Sequence, residues 1–86
     1  MAYAIVRPAI FEKDLISHTG GNAILRERVE RRIAKLGDNP EHHGYHAGGK
    51  IRCNWVAGVG DFAIIYELHE RSQTVRLLRF VSLENL

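Results

Sequence analysis

Three stretches in the last third of the chain decide its fold: Ile51-Arg-Cys-Asn-Trp-Val-Ala57, Phe62-Ala-Ile-Ile-Tyr-Glu-Leu-His69 and Thr74-Val-Arg-Leu-Leu-Arg-Phe-Val81. Each is too short for a typical helix and rich in β-branched and aromatic residues, so each reads as a strand. Gly58-Val-Gly-Asp61 and Glu70-Arg-Ser-Gln73 separate them. Strands this closely spaced form an antiparallel meander.

Upstream of the meander the period changes. Leu25, Val29, Ile33 and Leu36 recur at steps of four, four and three, the apolar stripe of an amphipathic helix. Asn22 is its expected N-cap, Gly37 its expected C′ residue, and Pro40 bars continuation. Glu27 and Arg31 are ordered for a helical ion pair. The break Thr19-Gly-Gly-Asn22 separates this helix from an earlier one over Ala9–His18, with Ile10, Phe11, Leu15 and Ile16 expected inside. Tyr3–Val6 reads as an N-terminal strand ended by Arg7-Pro8, with the proline at or near the first turn of the next element. The order is strand, helix, helix, three strands: one α+β domain over residues 1–86, with both helices on one face of a twisted antiparallel sheet.

Size and charge narrow the function. Eighty-six residues, 45% hydrophobic and 26% charged, suit one small globular core and exclude a disordered chain. The net charge is only +2, yet nine of the twelve cations are arginine and five basic residues lie between Arg26 and Lys35. Arginine's planar fork suits phosphate, so the balance leans toward nucleic acid. The lone Cys53 forms no internal disulfide, and so small a domain without such staples points to a cytoplasmic protein. Residues Met1–Ile16 hold no apolar run fit for a signal peptide or a membrane span.

Alternation sorts the candidate site residues. Lys50, Arg52 and Asn54 share one side of the first meander strand, with Ile51, Cys53 and Trp55 on the other. The apolar set faces the helices, so the polar set is expected on an open concave surface able to hold phosphates. Arg76 and Arg79, three apart, are expected on opposite faces, one of them near the core side or the sheet edge. Pattern alone favours a merely solvated polar face. The loop His42-His43-Gly44-Tyr45-His46 offers titratable imidazoles. It lacks the spacing and companions of a metal site, so neither metal nor cofactor is expected. No phosphate-binding glycine loop, dinucleotide fingerprint or nucleophile elbow is present.

At this point the chain resembles the RelE/ParE superfamily of toxins from toxin–antitoxin modules, and within it the RelE/YafQ-like mRNA interferases. The likeness runs over nearly the whole chain. It is carried by Leu36-Gly-Asp-Asn-Pro40, by Gly49-Lys-Ile-Arg52, by Gly60-Asp-Phe-Ala-Ile-Ile-Tyr-Glu-Leu68, and by the tail Arg79-Phe-Val-Ser-Leu-Glu-Asn-Leu86. The resemblance implies a ribosome-dependent endonuclease that leaves a 2′,3′-cyclic phosphate. Its implied partners are a cognate antitoxin, the ribosome and mRNA, and it allows self-association as a homodimer. The implied acid–base residues are Asp61 and a loop histidine (His42, His43 or His46), with Arg52 at the scissile phosphate and Lys50, Asn54 and Arg79 on the RNA. Two positions depart from the family pattern. Leu83 stands where the YafQ-like branch has a tail histidine, and Ala63 where RelE has an arginine. The alternative implied by these departures is a non-catalytic member: a ParE-like gyrase inhibitor, or a degenerate toxin kept as a binding module.

Overall fold

The computed structural model describes residues 2–46 and 54–85. Strand β1 (Ala4–Val6) leads into helix α1 (Ala9–Thr19) and helix α2 (Ala23–Asp38). A two-residue strand β2 (Tyr45–His46) follows, then the meander β3 (Trp55–Val59), β4 (Phe62–His69) and β5 (Thr74–Ser82), and a single 3₁₀ turn at Leu83–Asn85. The five strands lie side by side in the order β1-β5-β4-β3-β2. All pairings in the meander are antiparallel, as expected, whereas β1 joins the edge of β5 in parallel, so the sheet is mixed.

Both helices cover one face. Phe11 and Leu15 of α1 and Val29, Ile33 and Leu36 of α2 pack on Ala57, Val59, Ile64, Tyr66, Val75, Leu77 and Phe80. Val29, Ile33 and Leu36 of the expected α2 stripe are buried and Leu25 is half-buried against the same core, and Asn22 caps the helix by accepting a 3.0 Å hydrogen bond from the Leu25 amide. Helix α2 nevertheless runs on through Gly37 to Asp38. The helix end meets the first strand there: the Gly37 carbonyl accepts the Tyr3 amide at 2.6 Å, and a methyl at Gly37 would make ordinary contact with Ile5 at 3.6 Å. In α1 the buried stripe is Phe11, Leu15 and Thr19, at steps of four, which leaves Ile10 and Ile16 exposed, contrary to expectation.

Polar contacts fasten these layers at three points. Arg7, just after β1, donates to Glu12 of α1 and in a two-pronged contact to Glu30 of α2 (2.6 and 2.8 Å), tying strand and helices together. Its guanidinium is held well above the ordinary arginine range, chiefly by the Glu30 hydrogen bonds. On β5, β1 reaches only as far as Arg76. Beyond it Asp14 of α1 takes the place of a strand, accepting the buried Phe80 amide at 3.2 Å and the Arg79 guanidinium at 2.6 and 3.1 Å. At the centre, the fully buried Tyr66 phenol donates to the Pro40 carbonyl at 2.7 Å. Burial, then the nearby Glu41, pushes that phenol up to about 12.

The loop crosses directly over this phenol at Gly44, where an added methyl would come within 2.0 Å of the Tyr66 hydroxyl and 2.9 Å of the Val56 carbonyl. Tyr66→Phe therefore leaves a buried carbonyl without its donor and should lower stability in urea unfolding by about 1–3 kcal/mol. Gly44→Ala should cost about as much by overpacking, and the double variant less than the sum, since one atom mediates both effects. Asp14→Ala orphans the Phe80 amide, for a loss of about 1–3 kcal/mol. Hydrogen bonding from Arg79, opposed by burial and helped by the Phe80 amide, holds the Asp14 carboxyl below its usual range. Its stabilising share is complete above the ordinary carboxylate pKa and is lost as pH falls through the depressed value. The acid limb of a stability–pH curve should flatten in Asp14→Asn.

Candidate nucleic-acid interface

Strand pairing assigns every side chain of the meander to a face. Trp55, Ala57, Val59, Phe62, Ile64, Tyr66 and Leu68 point to the helices, and Val56, Gly58, Ala63, Ile65, Glu67 and His69 to the other side. In β5 the alternation breaks. Ile65 pairs with Arg79 and Tyr66 with Leu77, so Leu78 is an extra residue, a β-bulge. The bulge overturns the expectation that Arg76 and Arg79 face opposite ways. Arg76 pairs with Glu67 and Arg79 with Ile65, both on the helix-free side. Arg79 is indeed at the sheet edge, where it reaches round to Asp14.

The helix-free face is graded. One end is apolar and closed: Val56 and Ala63 are buried together, and Ile65 is 8% exposed. The other end is polar. Glu67 and His69 are two apart on β4 and meet at 3.2 Å between Oε1 and Nε2, with exposed Arg76 paired across from Glu67. Asn54, immediately before β3, belongs to this end by alternation. A carboxylate that orients an imidazole beside a guanidinium is a set able to move a proton next to a bound phosphate. Sequence reading did not single out His69, which closes its strand; its i, i+2 spacing from Glu67 was the available signal.

The other sequence candidates are scattered. Lys50 and Arg52 lie outside the described residues. Asp61 occupies the tight turn between β3 and β4, after Gly60 at φ 59°, and its carbonyl accepts the Leu83 amide at 2.9 Å. That turn begins later than expected, because β3 runs to Val59. About 13 Å of strand separates Trp55 from Val59 at ~3.3 Å per residue, and Asp61 lies beyond. The backbone of His46 pairs with Trp55, at the opposite end of β3. The backbones of Asp61 and His46 therefore lie at opposite ends of β3. His42 and His43 touch one another, with ring centroids 4.9 Å apart, and sit just past the end of α2, where the His42 amide bonds to Asn39. Their charged neighbours are on α2: burial first, then His42, Lys35 and Arg32 hold the His43 imidazole below its usual range, with Asp38 opposing.

No protein-family model and no curated protein matches the chain. Solved structures do. A chain of the RelBE2 toxin–antitoxin complex from Mycobacterium tuberculosis superposes with a TM-score of 0.79 at 22% identity, covering 95% of this chain and 99% of that one. The archaeal RelE–RelB complex from Pyrococcus horikoshii gives 0.73 at 18%, covering 95% and 96%. YafQ from E. coli gives 0.72 at 16%, covering 96% of each. This chain has the RelE/ParE fold. At such identities the likeness is one of fold, and the chemistry of the site rests on its own residues.

Followed by NMR, His43 should titrate with a midpoint below the ordinary imidazole value near 6.5. Lys35→Ala or Arg32→Ala should move it upward by removing a repelling cation, and an unmoved midpoint would refute that electrostatic coupling.

Proposed function

We propose that this chain is the toxin of a toxin–antitoxin module and that it cleaves mRNA on the ribosome. The observation that carries the reading is the polar end of the helix-free sheet face, Asn54, Glu67, His69 and Arg76, on a RelE/ParE fold. RNA cleavage to a 2′,3′-cyclic phosphate needs a base for the 2′-hydroxyl and cations for the charge that develops on phosphorus. His69, oriented by Glu67, takes the 2′-hydroxyl proton as the 2′-oxygen bonds to phosphorus. The bond from phosphorus to the 5′-oxygen breaks, and water protonates that oxygen. Arg76 supports the phosphate, with Lys50, Arg52 and Asn54 as further contacts. Arg79 is a weaker candidate, because Asp14 already engages its guanidinium.

A cognate antitoxin fits the exposed apolar residues of the helices. Ile10, Ile16 and Ile24 are 51%, 59% and 75% exposed, apolar anchors of the kind a docking segment takes up. One observation favours the non-catalytic alternative. Ala63, where RelE carries an arginine, is fully buried between Gly58 and Val81, so that cation has no counterpart at this point of the sheet.

The deciding assay is cleavage of mRNA on programmed ribosomes by the purified protein, with free RNA as control. Ribosome-dependent cuts with cyclic-phosphate ends are expected. Arg52→Ala should abolish them, and His69→Gln should slow them by about 10²-fold or more, both variants remaining folded. No cutting by the folded wild-type protein would reject the nuclease and favour gyrase inhibition or a binding role.

A further inference from the structure

Among the described residues some cations are paired with carboxylates and others are not. Arg7, Arg31 and Arg79 are each bonded to a carboxylate: Glu12 and Glu30, Glu27, and Asp14. Arg28, Arg32 and Lys35 have no acidic partner among the described residues. These three lie at steps of four and three along α2, on one helix face. With Arg31, Val59 and Gly60 they line an open groove of about 200 Å³ between α2 and the end of β3. The groove is on the helix side of the sheet, away from Glu67, His69 and Arg76. The Gly60 turn forms its wall, and a methyl there would stand 3.6 Å from Arg28 Nη1. At its far end the cations approach His43 closely enough to depress that imidazole.

A concave site holding unpaired cations is incomplete without an anion from outside. We propose that this groove binds the phosphodiester backbone of RNA, at a second place distinct from the helix-free face; the inference rests on the reading that the chain engages RNA. An acidic peptide is the rival occupant. Peptides dock through apolar anchors set among their charges, and here the one apolar side chain lining the groove among the described residues is Val59, itself 4% exposed. A phosphate backbone needs only charge and donors, and the guanidinium fork supplies both. Along α2, the advance from Arg28 to Lys35 is about 10 Å at 1.5 Å per residue, enough for successive phosphates of one strand.

The test uses a fluorescein-labelled 12-nucleotide 2′-O-methyl RNA, which lacks the attacking hydroxyl and cannot be cut. Binding is measured by anisotropy from 50 to 300 mM KCl. In the triple variant Arg28→Gln, Arg32→Gln, Lys35→Gln, affinity at 100 mM KCl should fall at least tenfold. The slope of log K against log[KCl] should shrink by about 2, at ~0.7 per lost phosphate contact on a single strand. Arg28→Gln alone should remove about 0.7 of slope. Glutamine keeps helix propensity, and matching circular dichroism confirms folding. An unchanged affinity or slope in the folded variants overturns the groove. So does a wild-type protein that binds no RNA, or equal displacement of the probe by a 12-residue polyglutamate. Groove-dependent binding by a protein that never cuts mRNA on ribosomes would sustain the groove and reject only the nuclease.

Discussion

Everything in this molecule is referred to the centre of β4, where Tyr66 is both core and clasp. Its ring is buried in the core that both helices' apolar residues help to form, and its hydroxyl holds the carbonyl of Pro40. A buried phenol must find an acceptor. Here the acceptor is the segment that leaves α2 for the sheet edge. The bond therefore fixes where the chain after α2 crosses the sheet. It also fixes where Gly44 must be small and where the histidine loop is deposited. Neighbouring Ile64 and the flanking strands bury the rest of the core, and the opposite face of β4 is left to Glu67 and His69.

Most of this architecture was legible because it rests on periodicity. The α2 stripe of Leu25, Val29, Ile33 and Leu36, the Asn22 cap and the three meander strands all follow from local pattern, and the structure keeps each of them. What pattern did not carry were effects of tertiary contact. Gly37 looked like a helix terminator and is a helical residue whose carbonyl accepts the Tyr3 amide just before β1. Ile10 and Ile16 looked like core, but α1 turns its Phe11–Leu15–Thr19 face inward. The site suffered more. A single bulge residue, Leu78, moves Arg79 to the face of Arg76, and strict alternation has no means of announcing an inserted residue. Asp61 sits at the Gly60 turn while the backbone of His46 pairs at the other end of β3, so a strand's length of sheet stands between those two.

Charge is partitioned as deliberately as hydrophobicity. The carboxylates of Asp14, Glu12, Glu27 and Glu30 are spent on arginines that join elements or brace a helix. Those pairs hold the fold and leave other cations without a bonded carboxylate among the described residues, in the groove between α2 and β3 and on the polar end of the sheet. The modest net charge of +2 conceals this division, since acidic residues that cancel charge in the sum do not cancel it at the surface where a partner arrives.

The parallel seam between β1 and β5 has a consequence for how the protein is made. Ala4 lies beside Thr74, so the first strand finds its neighbour only after some seventy residues more have been synthesised. Helix α1 shares the delay, because Phe11 packs against Phe80 and Asp14 bonds to its amide. A nascent chain emerging from a ribosome can form α2 from local signals, but it has no sheet to close against until its final strand is free. Folding of this domain therefore waits for β5, and a chain cut short before or within that strand loses the element on which β1 and α1 converge.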